Sequence, residues 1–408
     1  MGKVKRSRTD VALVMAASFF FMFSTMFINP MINGYAKSLG ASGAFAGVIV
    51  GVMSLVALFL RPLAGHLTDR YSRYSLSFVG GILIVAGIVG YILTPDAPML
   101  ILFRVLNGAG YVLGTVCLTT WLAVLVPREH VGEAMAFYGL MNALAMSLAP
   151  AVSINLVGRL GYRHTTVIAA ISACIMVVCI QFVHNRAVPL RHRKPAGRRP
   201  AVCGASGEVT GRDHSHRVPR LIQPDAFPVL LLTALFAFPY FVTQADLVTY
   251  VAQRHLPVAV GEYFLIYAAI LIVSRLFLRN LFDTVRFGVW FWVSLSCTLG
   301  YLVVLTVMDN NVLMALAAAL MAGGYGIIYS VLQATAMLLA PLEEQGLASA
   351  TFYLGLDIAM AFGPMIGGLI DECLPVGWFY AVQMLVVPLA LIVYLRWRKP
   401  LNDAIRRH

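Results

Sequence analysis

Apolar runs of roughly 20 residues follow one another along this chain, separated by short polar gaps, and that is the length a helix needs to cross a ~30 Å hydrocarbon layer. Twelve can be read: residues 11–35, 43–67, 75–94, 98–125, 134–158, 163–184, 226–251, 258–279, 287–308, 311–338, 346–370 and 377–396. Gly and Pro recur inside them, as membrane helices tolerate. One long polar stretch interrupts the series between about Val183 and Asp225. It carries Arg191, Arg193, Lys194, Arg198 and Arg199 among Pro, Gly and Ser, the composition of a flexible linker. The pattern predicts an all-α membrane protein with twelve transmembrane helices in two six-helix bundles. The bundles are residues 1–184 and 226–408, joined by a basic cytoplasmic linker, 185–225.

Composition agrees and adds exclusions. Of 408 residues 60% are hydrophobic and only 12% charged, against about 25% charged in soluble domains, so no polar surface exists to cover a water-soluble fold. The net charge of +12 is spread through the gaps rather than gathered on one polar face, which argues against a nucleic-acid partner. The six cysteines form neither a CxxC nor a Cys/His cluster, so neither a disulfide framework nor a metal site is indicated. The basic N-terminus followed by an apolar stretch imitates a signal peptide, but the stretch runs on through Phe20, Phe21, Phe23 and Phe27 and reads as a first span.

Basic residues collect in cytoplasmic loops. With both termini on one side, that side holds 23 of the 30 Lys and Arg, the other only Lys37, Arg159, Arg163 and Arg254. The expectation is a multi-pass protein of the cell (inner, cytoplasmic) membrane with both termini cytoplasmic. Three arginines fall within spans: Arg61, Arg104 and Arg275.

The two halves also repeat. A displacement of 214 residues superimposes Arg61 on Arg275, Asp69 on Asp283, Gly110-Tyr111 on Gly324-Tyr325, Gly132 on Gly346 and Pro150 on Pro364. Two parallel-repeat bundles are a standard transporter architecture, with the substrate held between them near the midplane.

The most specific local motif follows the second run: Gly65-His66-Leu67-Thr68-Asp69-Arg70-Tyr71-Ser72-Arg73. It resembles the cytoplasmic signature G-x-L-x-D-R-x-G-R of the major facilitator superfamily, departing from it at Ser72, where the family has Gly. The resemblance extends over the whole chain and implies the major facilitator fold, two pseudo-symmetric six-helix bundles. It implies that Gly65, Asp69, Arg70 and Arg73, with Asp283 at the repeated position, latch the bundles together on the cytoplasmic side. A carboxylate near helix ends can make and break such charge-assisted contacts as bundles rock. Arg104, in Arg104-x-x-x-Gly108, is similar to the helix-four motif of proton-coupled family members. Gly363-Pro364-x-x-Gly367-Gly368 looks like an element that exporters carry on helix five. Here it stands on helix eleven, where Gly would allow close helix approach and Pro a bend.

Asp357 is the sharpest candidate for proton coupling, because an ionisable carboxylate near mid-span can take up and release a proton as access alternates. Asp357 and Arg104 each face Ala in the repeat, Ala143 and Ala318, and the expectation pairs them as proton acceptor and cationic counterpart. Asp246 and Glu262 are weaker candidates near outer span ends. Arg61 and Arg275 read as side chains snorkelling to inner-leaflet phosphates, contact with an anionic substrate being the alternative. Candidate cavity residues are Asn29, Asn33, Asn142, Tyr240, Gln244, Tyr325, Tyr329 and Gln333.

No phosphate-binding GxxxxGK[ST], metal-binding His-Glu motif, nucleophile elbow or dinucleotide fingerprint occurs, so no enzyme, cofactor or metal is expected. The expected partners are a small-molecule substrate, protons and the lipid bilayer, for a monomer. The function expected is proton-coupled efflux of a small organic molecule, a drug or a metabolite, by alternating access. The alternatives are a proton-coupled importer of a sugar, amino acid or organic acid, and a non-transporting membrane sensor.

Overall fold

Helices are the only way for a single apolar segment to satisfy its own backbone N–H and C=O groups in lipid, and the apolar runs fold accordingly. The computed structural model describes residues 2–185, 221–258, 260–278 and 281–406. The predicted linker lies almost wholly outside the described residues.

In the first half the helices are α1 (Gly2–Ile28), α2 (Ile32–Ser38), α3 (Gly43–Arg70), α4 (Arg73–Leu93), α5 (Ala97–Leu125) and α6 (Val131–Gln181). In the second they are α7 (Phe227–Gln253), α8 (Val260–Leu278), α9 (Leu281–Thr284), α10 (Phe287–Val307), α11 (Asn311–Met321), α12 (Ile327–Leu339) and α13 (Gln345–Cys373). Three more close the chain: α14 (Phe379–Gln383), α15 (Val386–Arg396) and α16 (Arg398–Arg406).

Several run boundaries move for identifiable reasons. The first run breaks after Ile28 because Pro30 lacks an N–H and disfavours helical geometry at Asn29. Runs 134–158 and 163–184 are both carried by α6, interrupted at Gly161, whose φ of 73° and ψ of 170° suit glycine alone. The run 311–338 is divided by a π turn, Ala322–Gly326, rich in glycine. Among the described residues ten segments are long and apolar enough to span a membrane. The remaining runs, 134–158 and 258–279, are helical too, as the first part of α6 and as α8.

The sequence repeat reappears in the capping. The Asp96 carboxylate accepts from the N–H of Met99 (3.1 Å) to start α5, and the Asn310 carbonyl, 214 residues on, accepts from Leu313 (2.9 Å) to start α11. Large apolar side chains point outward along the spans, Phe59 and Phe277 being 76% and 82% exposed, an arrangement suited to lipid rather than water. Within the first half α1 lies along α6 and α4 along α5; within the second, α7 lies along α13. Between halves the main seam is α3 against α13. The face carrying the end of α3 and the start of α13 is called the near face below.

Candidate functional site

A charge pair deep in the protein joins the halves. Arg61 of α3 is fully buried and donates from Nε and Nη2 to the two carboxylate oxygens of Asp357 on α13, at 2.5 and 3.0 Å. This bidentate geometry matches a planar guanidinium to a carboxylate. Nη1 of Arg61 donates to Oγ1 of Thr115, and the guanidinium lies over the rings of Tyr111 (5.2 Å) and Tyr353 (4.8 Å). Tyr111, Thr115 and Thr119 recur every fourth residue, so α5 presents one polar stripe. Towards the near face the network continues: the Tyr353 and Thr119 hydroxyls are 2.9 Å apart, and Gln333 Nε2 donates to the Tyr353 hydroxyl at 3.0 Å.

At the near face the seam is closed by backbone. A Cβ on Gly65 would lie 2.8 Å from the Ala350 Cβ and 2.9 Å from the Leu347 Cα; one on Gly346 would lie 2.6 Å from the Gly65 carbonyl oxygen. These two glycines therefore permit the crossing of α3 and α13. Beside them Asp69 accepts from the N–H of Gly346 (2.7 Å) and of Leu347 (3.0 Å). A carboxylate of one half thus caps a helix of the other, with its charge at the positive helix end. Arg73 is 2% exposed and an electrostatic neighbour of Asp69, whereas Arg70 faces solvent. The side chain of Asp283 lies outside the described residues.

Arg275, the repeat mate of Arg61, is 2% exposed and also reaches across the seam. It donates to the Ala136 carbonyl of α6 and, from Nη2 at 2.7 Å, to the carbonyl of Gly326 in the π turn. Around it stand Tyr267, Tyr325 and Tyr329; Tyr325 stacks on Tyr240 with ring centroids 4.4 Å apart.

Each crossing contact described here lies at the network's depth or nearer the near face. On the opposite face Arg163 bonds the Thr94 carbonyl inside the first half, and Arg254 the Thr306 carbonyl inside the second.

The sequence profile of the Major Facilitator Superfamily matches residues 14–364. This chain belongs to that superfamily. Among curated relatives, the multi-drug resistance efflux pump PmrA homolog of Lactococcus lactis is 22% identical over 169 residues, covering 40% of this chain and 42% of that protein. The chain spans about a third of the length of the curated relatives it matches first. The human organic anion transporter MFSD10 superimposes with a TM-score of 0.75 at 13% identity, over 95% of this chain and 99% of that one. The proton:xylose symporter XylE superimposes with a TM-score of 0.71 at 14% identity, over 97% and 96%. The protein therefore has the major facilitator fold, that of a superfamily of membrane transporters.

On this facilitator fold the sequence-predicted residues separate into groups. Asp357 is paired, but with Arg61 and not with Arg104, and neither Arg61 nor Arg275 snorkels to a lipid headgroup. The reason is depth. Arg104 lies about two turns from the far end of α5, Asp357 about three turns from the near end of α13. Arg104 serves the first half instead, donating from Nη2 to the Asn29 side-chain oxygen at 2.9 Å. Asn142 is likewise internal to the first half, accepting from Ser18 at 3.0 Å.

Tyr240, Tyr325, Tyr329 and Gln333 do gather about Arg275 and Tyr353, while Gln244 and Glu262 are exposed. Asp246 is half-buried on α7 against Gly367, where a Cβ would lie 2.6 Å from its Oδ2. Gly363 and Gly367 thus serve α7–α13 packing, and Gly368 meets nothing within 4 Å. The side chains of Asn33 and Pro364 lie outside the described residues. Sequence reading missed Tyr111, Thr115, Thr119 and Tyr353 as members of the site; the i, i+4 stripe on α5 and Tyr353, four residues before Asp357, were the available signals.

Proposed function

We propose that this chain is a secondary active transporter that exports a small organic molecule by alternating access, in antiport with protons through Asp357. The observation that carries the reading is the bidentate Arg61–Asp357 pair, a buried charge lock between α3 and α13. Pulling the two apart at membrane depth leaves two uncompensated charges. A proton on Asp357 removes the carboxylate charge and with it most of the attraction that holds the seam. The near face is then the cytoplasmic one, the two halves are the rocking bodies, residues 1–184 and 226–408, and the arrangement described is the state closed to the cytoplasm. Asp69 on the start of α13 acts as the outer latch of that closure. A carboxylate released into the cytoplasmic cavity gives up its proton and can close again only as the charged form, so opening is tied to proton uptake from the other side.

The test uses the purified full chain in proteoliposomes with an imposed pH gradient and a panel of candidate substrates. The expected result is substrate movement opposite to the proton flow, with accumulation in Asp357→Asn reduced by roughly 5–150-fold, the range of ordinary coupling energies. Full-rate, gradient-driven accumulation by Asp357→Asn would sink the coupling role. Movement in the same direction as protons would replace the exporter by an importer, and ligand binding without flux by a sensor.

A further inference from the structure

Arg275 and Arg61 are related by the repeat, yet only Arg61 has a carboxylate, because the position matching Asp357 is Ala143. Among the described residues no carboxylate forms an ion pair with Arg275. Its hydrogen-bond acceptors among the described residues, the carbonyls of Ala136 and Gly326, are neutral dipoles that orient the guanidinium without cancelling its charge. Its Nε, fully shielded from solvent, has no acceptor among the described residues. A buried cation in that condition is costly unless something negative joins it.

A second buried donor points to the same place. The Ser330 hydroxyl on α12 is fully buried and has no partner among the described residues. A Cβ on Gly139 of α6 would lie 2.5 Å from Nη1 of Arg275 and 2.6 Å from Oγ of Ser330, so both donors converge on this glycine between the halves. Aromatic faces complete the surroundings. Tyr240 stacks on Tyr325, packs at 5.8 Å from Tyr267, and Tyr325 packs at 5.9 Å from Tyr329. Tyrosine supplies both a flat apolar surface and a hydroxyl donor, and the guanidinium fork matches a carboxylate.

We propose that the tyrosine cluster at Arg275, packed together in this closed arrangement, becomes the substrate subsite on opening and takes the carboxylate of a small aryl acid, with Arg275 and Ser330 holding the carboxylate and Tyr240, Tyr267 and Tyr325 the ring. This rests on the transporter reading above and names the substrate class of that transporter. In the closed arrangement Arg275 uses the Ala136 carbonyl of the opposite half as a placeholder, and opening of the near face frees that N–H for the substrate.

The test is equilibrium binding to the purified full chain, with no gradient, of three matched acid and amide pairs. These are benzoate and benzamide, salicylate and salicylamide, and indole-3-acetate and indole-3-acetamide, with benzylamine as the cationic control. The expected result is that at least one acid binds on the order of tenfold or more tighter than its amide. That preference should disappear in Arg275→Gln, return in part in Arg275→Lys and weaken in Ser330→Ala, each checked for a monodisperse, cooperatively unfolding sample. Equal binding of acids and amides, preference for benzylamine, no binding of any acid, or a preference that survives in folded Arg275→Gln overturns the proposal. Acid and amide are compared at one pH on one chain, so the Asp357 protonation equilibrium cancels from their ratio; a failure here leaves the Asp357 test standing, and the converse also holds.

Discussion

Three arginines inside apolar runs have the same chemistry and three different fates. Arg61 finds a carboxylate, Arg104 an amide oxygen, and Arg275, among the described residues, backbone carbonyls. Their place within the apolar runs was legible in the sequence, but Arg61 and Arg275 read there as side chains snorkelling to lipid phosphates rather than as buried charges. Their partners were not legible, because Asp357 is 296 residues from Arg61 and only the crossing of α3 and α13 joins them. Removing one member of such a pair leaves the other uncompensated, at a cost of about 3–5 kcal/mol. Arg61→Gln alone and Asp357→Asn alone should therefore each lower the thermal unfolding midpoint in detergent. The double variant, which buries two neutral amides, should regain most of the loss. A double-mutant cycle measures this directly, and simple additivity of the two losses would show that the pair carries no coupling.

At the level of elements the seam depends on the absence of side chains at Gly65 and Gly346 and on the presence of one at Asp69. The Gly65 motif was visible in the sequence and so was its repeat; the Gly346 partner was not singled out, although it sits opposite Gly132 in the repeat. A bulkier residue at either glycine meets backbone atoms, which cannot rotate away. Gly65→Val should thus push α3 from α13 and lengthen the distance between spin labels at Arg70 and Glu343, both exposed at the near face, in a cysteine-free background. Asp69→Asn keeps an acceptor but loses the charge at the start of α13, worth up to about 1 kcal/mol. The closed-to-open ratio read from the same label pair should fall roughly fivefold. An unchanged distance distribution in both variants would remove the glycine crossing and the carboxylate cap from the closure. The break at Asn29–Met31 and the π turn at Ala322–Gly326 show the opposite limit: the missing N–H of Pro30 ends a helix, whereas the glycines of the π turn merely widen one.

For the whole molecule, alternating access makes a prediction about both faces at once. Labels at Arg70 and Glu343 should separate on protonation while labels at Lys37 and Gln253, exposed on the opposite face, approach. Parallel changes at both faces would contradict rocking about a central site. The sequence by itself determined that this chain is a helical membrane protein, where its helices run, that its halves repeat, and which few charges lie within its apolar runs. Those are consequences of local physics: a backbone in lipid must bond within its own segment, and a charge among apolar neighbours stands out. Only the tertiary structure decided that Arg61 rather than Arg104 meets Asp357, that Asp69 caps a helix from the other half, and that Arg275 meets backbone carbonyls, with no carboxylate paired to it among the described residues. Each of those depends on which helix faces cross and at what depth, and helix crossing is set by close packing between segments far apart in the chain.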